Sequence, residues 1–162
     1  MKIVSWNLLH SIGATIEEVI HLVDRERPDL LLMQEATAAI DRLPTRISGF
    51  YSRNPLPGRH HGLAAWSLET FAEVPRHIAL QPGLFVKRIA QIVSIGGLTV
   101  ANVHLSHGQL MNRRQLRRIA GHPKTIGFDL VEISPPFDVQ GITGRTGAAL
   151  ILNFLYGLAT RG

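Results

Sequence analysis

The chain has 162 residues, 45% of them hydrophobic and 18% charged, which excludes a disordered composition and suits one domain able to bury a real core. It contains no cysteine, so disulfide frameworks and thiolate metal sites are excluded, and a reducing compartment fits. The formal net charge is +5, a surplus that suits a phosphate ester or nucleic acid and equally a plain soluble basic surface. The opening MKIVSWNLLH lacks the long apolar region and small-residue cleavage site of a secretory signal. The longest apolar run, Ala148 to Leu155, is interrupted by Asn153 and falls far short of the roughly 20 residues that span a bilayer. A soluble cytoplasmic protein with no membrane partner is expected.

In chain order, Lys2 to Leu9 alternates and is rich in Ile, Val and Trp, which predicts a strand. Thr15 to Arg27 predicts a helix: Thr15 and Glu18 have capping-box spacing, and Ile16, Val19, Ile20 and Val23 repeat on one face. Pro28 blocks its continuation. After Asp29, Leu30 to Met33 is a continuous apolar run, as expected of a strand buried on both faces, and it leads into Gln34 and Glu35. Such a strand–helix–strand unit predicts a right-handed crossover and parallel pairing. Thr37 to Leu43 is a weaker helical stretch closed by Pro44, and Ser52 to Gly62, with two prolines, two glycines and the pair His60 and His61, reads as an exposed loop. Strands are predicted at Leu63–Ser67, His77–Leu80, Leu84–Ile95 and Leu98–Leu105, the last two joined by a hairpin turn at Gly96 and Gly97. A helix over Gln109–Ala120 follows, then a break at Gly121–Pro123, a strand over Thr125–Ile133, a loop over Ser134–Gly141 and a closing helix over Thr143–Ala159. There is no internal repeat.

Asn7 and Glu35 stand near the C-terminal ends of two predicted neighbouring strands, the edge of an open sheet where ligands and ions collect. An amide carbonyl and a carboxylate are hard oxygen donors and suit a magnesium ion that keeps several waters. Taken singly, an Asn after a strand is a turn residue and a Glu there a solvated acid; it is the pair that points to a metal. Arg113, Arg114, Arg117 and Arg118 place four positive charges within two helical turns, either a phosphate-steering face or a solvated one. His60, His61 and His107 have no ligand spacing and are read as loop histidines.

The segments IVSWNL (Ile3 to Leu8), PDLLLMQE (Pro28 to Glu35) and VANVHLSH (Val100 to His107), followed by Gln115 and the arginine helix, resemble successive motifs of the endonuclease/exonuclease/phosphatase family. The resemblance covers residues 1 to about 120. It implies that Asn7 and Glu35 hold Mg²⁺ or Mn²⁺ and that His104 is catalytic at the phosphate-handling edge of a second sheet; the charge of Arg113, Arg114 and Arg117 makes them the candidate phosphate-binding residues. Hydrolysis of a phosphomonoester or phosphodiester, nucleic acid included, would be the activity.

The family's later Gly-Asp-x-Asn and Ser-Asp-His motifs, which supply the water-activating base, do not occur, and the only acids after Ala120 are Asp129, Glu132 and Asp138. The stretch TIGFDLVEISPPFDVQGIT from Thr125 to Thr143 instead resembles the last strand and helix of ureohydrolases, the agmatinase and arginase family. There the residue matching Glu132 would contact a guanidinium, but no Asp-x-His-x-Asp cluster accompanies it. The expected whole is therefore a single α/β domain, residues 1–162. It would be a partial deoxyribonuclease-like two-sheet sandwich over 1–120, with a ureohydrolase-type strand and helix over 121–162, a chimera joined near Gly121. Glu132 is either a surrogate third metal ligand or an inherited, solvated acid. Three functions stay open: a phosphoesterase with an incomplete site, a catalytically dead scaffold or anion-binding module, and a guanidino-compound hydrolase. A sheet edge left exposed by the missing strands would favour a homodimer.

Overall fold

The computed structural model describes residues 1–80, 89–104, 109–130 and 141–161. The chain divides into two compact units, one formed by Met1–Pro82 with Lys87–His104, the other containing Leu105–Gly162. In the first, β1 (Ile3–Asn7) leads through α1 (Ile16–Glu26) to β2 (Leu30–Thr37). The Thr15 hydroxyl accepts from the Glu18 N–H at 3.2 Å, and the Glu18 carboxylate accepts from the Thr15 N–H at 2.7 Å. This reciprocal cap satisfies two orphan donors at the helix start. At the other end Arg27 turns left-handed at φ 45° and donates its N–H to the Val23 carbonyl, and Pro28 follows. β1 and β2 then pair in parallel, with Ile3 opposite Leu30 and Asn7 opposite Gln34.

β2 next pairs antiparallel with β4 (His61–Ser67), and β4 with β3 (Phe50–Pro55), giving the order β1-β2-β4-β3. A second, antiparallel sheet runs β5-β6-β7, made of Arg76–Ala79, Ile89–Ile95 and Leu98–Val103. Gly96 and Gly97, both with positive φ, close its β6–β7 hairpin with Ile95 opposite Leu98, the backbone that a two-residue mirror-image turn requires. Leu31, Met33, Ala64 and Trp66 face one way, against Val19 and Val23 of α1 and Ile40 and Leu43 of the following 3-10 helix. Leu30, Leu32 and Ala65 face the other way, against Val93 and Ile95 of β6. The all-apolar run of β2 is thereby explained: it is covered on both faces, by helices on one and by the second sheet on the other. This is the α/β, two-sheet architecture expected from the sequence.

Several boundaries differ. The segment from Ser52 to Gly62 is a β3–β4 hairpin. Its tip is a turn with Pro57 at the second position, Gly58 at φ 74° in the third, and the Arg59 N–H donating to the Leu56 carbonyl at 3.0 Å, the pattern of a type II turn. Polar Ser52, Arg53 and Asn54 obscure the strand in the sequence, because β3 is half-exposed at the sheet edge. The helical stretch after β2 is a 3-10 helix, Ala38–Thr45, with Pro44 inside it. Of the strand expected from Leu84, residues 84–88 lie outside the described residues.

In the second unit α2 (Gln109–Ala120) packs against α3 (Ile142–Ala159). Thr125–Leu130 is irregular, where a strand is expected. Its carbonyl at Thr125 is taken by the Arg161 guanidinium at 2.7 Å, and Phe128 stacks on Phe154 with ring centroids 4.5 Å apart, so the segment is tied to a helix rather than to a neighbouring strand. The remainder of that expected strand and its loop, including Glu132, lies outside the described residues. The buried positions of α3 include Gly147, Leu150, Asn153, Phe154 and Gly157, whereas Ile142, Leu152 and Leu155 are exposed. No described helix is long and apolar enough to cross a membrane.

Candidate active site

Glu35 owes its position to a break in β2. Pairing with β4 is regular up to Met33 opposite Ala64 and resumes with Ala36 opposite Gly62. Leu31, Met33 and Ala36 all lie in the same core cluster, so strict alternation has been interrupted by one extra residue. The bulge holds Glu35 at φ 56°, a conformation that costs a non-glycine residue about 1–3 kcal/mol and that clusters at functional sites. Bulges re-aim a side chain. Here the carboxylate that alternation would send into the core turns instead toward the turn that follows β1.

That turn is built around Asn7. Its side-chain oxygen accepts from the Leu9 N–H at 3.1 Å, and Leu9 itself has φ 51°, so the chain reverses immediately after β1. The reversal brings His10 onto Glu35: the His10 N–H donates to Glu35 Oε2 at 3.0 Å, and His10 Nδ1 lies 2.5 Å from the same oxygen. On the other carboxylate oxygen, His104 Nε2 stands 3.7 Å from Glu35 Oε1. Partial burial pushes the Glu35 carboxyl up, but the His10 hydrogen bonds, helped by the charge of His104, outweigh it and leave the group below the usual carboxylate range. The structure therefore gathers Asn7, Glu35 and His104 around one end of the first unit.

Beneath them lies a buried amide network. Asn102, 1% exposed, donates to the Met33 and Ala64 carbonyls at 3.1 Å each and to Gln91 Oε1 at 3.2 Å. It accepts from Gln34 Nε2 at 2.7 Å, which also donates to Ser5 Oγ at 3.1 Å. Met33 borders the bulge, so a β7 side chain helps to hold the distorted strand that presents Glu35. Asn102 lies inside a segment singled out in the sequence, yet nothing there marks its side chain as buried.

Two further histidines lie here: His60 is in the bend before β4, as its reading as a loop residue expects, whereas His61 belongs to the strand. His61 opens β4, 7% exposed, and its ring stacks on His10 with centroids 4.0 Å apart; His60 meets both rings edge-on at 5.2 Å. Burial, and next the nearby His10, hold the His61 imidazole below its ordinary value. The pairing of β4 with β2 is what brings them there, and adjacency in sequence carries no sign of it. The arginines belong to the second unit: Arg113, Arg114, Arg117 and Arg118 are exposed. The Arg117 guanidinium is committed to α3, donating to Asn153 Oδ1 at 3.0 Å and lying 4.2 Å from the Tyr156 ring centroid. His107 lies outside the described residues.

Residues 4–150 match the endonuclease/exonuclease/phosphatase family. The chain belongs to that family. The match runs past Gly121 and gives no support to a ureohydrolase segment. Among solved structures, truncated TDP2 of Caenorhabditis elegans is 28% identical, with a TM-score of 0.56 over 74% of this chain and 52% of that one. D. rerio TDP2 complexed with a single-strand DNA product is 13% identical, with a TM-score of 0.58 over 78% and 56%. ANGEL2, a 2′,3′-cyclic phosphatase solved with adenosine-2′,3′-vanadate, is 15% identical, with a TM-score of 0.52 over 78% and 50%. The chain thus spans about half the length of these family relatives. No curated protein matches it.

Proposed function

We propose that the chain is a phosphoesterase using a divalent cation, magnesium or manganese, held by Asn7 and Glu35. The observation that carries this reading is the β2 bulge, which spends backbone strain to aim Glu35 at the strand end where Asn7 terminates β1. Enzymes of this family generally use divalent metal ions. The donor set suits one: both side chains offer hard oxygens, and a carboxylate has about four lone-pair sites, more than the two His10 contacts use. When bound, such an ion neutralises phosphoryl oxygens and orients the leaving group.

The chain's own residues do the rest. His10 orients the Glu35 carboxylate and keeps it ionised. His104, at the end of β7, offers a ring nitrogen beside Glu35 that would donate to an oxygen gaining charge in the transition state. Arg113 and Arg114 add positive charge for a phosphate-rich substrate, with Arg117 contributing less because α3 engages it. The contents of the D. rerio TDP2 and ANGEL2 structures suggest which substrates to try first, single-stranded DNA and 2′,3′-cyclic nucleotide phosphates.

Magnesium-dependent release of p-nitrophenol from a bis-phosphodiester reporter tests the reading. Weak release, lost in Glu35→Ala, is expected; activity that survives Glu35→Ala would argue against metal chemistry at this site. A second reading is a module that binds phosphate without hydrolysing it, which the exposed Arg113 and Arg114 support. Anion binding with no release under any divalent ion would select it. Glu132 as a surrogate ligand predicts weaker magnesium binding in Glu132→Ala, and equal affinities remove it. The guanidino-compound reading rests on Glu132 alone and predicts urea release from agmatine with manganese; we expect none. Sedimentation tests a homodimer through a free strand edge, and a monomer at high concentration removes it.

A further inference from the structure

We infer that His10, His60 and His61 form a binding site for a borderline-soft divalent cation of the zinc class. The site goes beyond the phosphoesterase reading and differs from the oxygen donors Asn7 and Glu35 in its chemistry. One ring nitrogen from each histidine lies within 4.8 Å of the other two. A tetrahedral zinc ion, with bonds of about 2.0–2.1 Å, holds its nitrogens about 3.3 Å apart. Binding requires the stacked rings of His10 and His61 to tilt so that their in-plane lone pairs converge on one ion, while exposed His60 turns in to join them. Imidazole nitrogen selects zinc, nickel or copper, whereas magnesium prefers oxygen.

Three observations separate this cluster from a chance meeting of histidines. The first is the Glu35 carboxylate, 2.5 Å from His10 Nδ1. A carboxylate there fixes the tautomer with hydrogen on Nδ1 and leaves the Nε2 lone pair for a metal, the arrangement in which metal-binding histidines are regularly found. The second is His61, whose Nδ1 is buried and has no hydrogen-bond partner among the described residues. The third is the scaffold. His60 and His61 end a hairpin pinned by the Leu56 N–H donating to the His61 carbonyl at 3.0 Å, and Gly62 lets that hairpin close: a Cβ there would lie 2.2 Å from the Asn54 carbonyl oxygen. Burial grades from His61 inside to His60 outside, which leaves an open side for entry and for a water or phosphoryl oxygen as fourth ligand.

The test is calorimetric titration of the untagged 162-residue chain with zinc chloride at pH 7.5 in the presence of excess magnesium. One zinc per chain is expected, with a Kd of about 1 µM or tighter, and cobalt in its place should give visible absorption of tetrahedral character. Exposed His60 permits His60→Ala without loss of fold, and its zinc affinity should fall at least tenfold. Glu35→Gln should weaken binding roughly 10- to 100-fold, as loss of an outer carboxylate does. His77→Ala, at an exposed histidine on β5, should leave it unchanged. Absence of stoichiometric zinc binding overturns the proposal, as does full affinity in a folded His10→Ala/His60→Ala double variant. Reporter hydrolysis in magnesium alone bears on the phosphoesterase reading only, so the two fail independently.

Discussion

Truncating Asn102 to alanine would leave the Met33 and Ala64 carbonyls and the Gln34 amide without their buried partner. Orphaned buried groups cost about 1–3 kcal/mol, so the Asn102→Ala urea midpoint should drop accordingly. Any activity should fall with it at permissive denaturant, because the bulge beside Met33 loses its clamp. Glu35 gives a pH signature. Its folded pKa lies below the ordinary 4.5, so its contact with His10 stabilises the fold above that value. This contribution is lost as pH falls through the lowered folded value. Glu35→Gln should therefore flatten the stability–pH profile below about pH 4.5, as followed by thermal unfolding; an unchanged slope would show that the His10 contact contributes nothing. Asn7 and Glu35 were legible in the sequence because each ends a strand-like run, where a polar residue is conspicuous, and His104 was legible only through the family resemblance. Asn102 and His61 were not, since only cross-strand neighbours show that a polar side chain is buried.

At the scale of elements, the β3–β4 hairpin is the sensitive part of the first unit. Gly62→Ala would drive a methyl into the Asn54 and Pro55 backbone, and overpacking of this kind costs about 1–3 kcal/mol. Chemical denaturation should show that loss, and zinc affinity should decline in the same variant. In the second unit α2 and α3 approach closely at Gly157, where a Cβ would meet the Ala120 Cβ at 2.7 Å and the Arg117 carbonyl at 2.9 Å. Gly157→Val should separate the helices and lower helical signal on mild heating, while Leu152→Ala, on an exposed position, should do little. The helices were readable to within a residue or so because caps and 3.6-residue periodicity are local. β3 and the irregular Thr125–Leu130 were misread for the converse reason: a strand exists only if a partner accepts its hydrogen bonds, and the partner is distant in sequence.

For the whole molecule, if the +5 net charge serves the proposed phosphate-binding role rather than a plain basic surface, a short single-stranded DNA should bind with a steep salt dependence. Replacing Arg113 and Arg114 together by alanine should reduce the slope of log K against log salt by about 1.4, roughly 0.7 per phosphate contact on a single strand. An unchanged slope would assign those arginines to a solvated face. The sequence by itself determined the family, the two-sheet α/β class, the parallel β1–β2 pairing and the hard-oxygen pair Asn7 and Glu35. Those follow from local periodicity and from motifs whose order along the chain is their evidence. Only the tertiary structure decided that β2 bulges to turn Glu35 out of the core, that Asn102 ties the two sheets together, and that His10 meets His60 and His61. Each of these depends on which strands lie side by side and in what register, a property of the assembled sheet that no single stretch of sequence encodes.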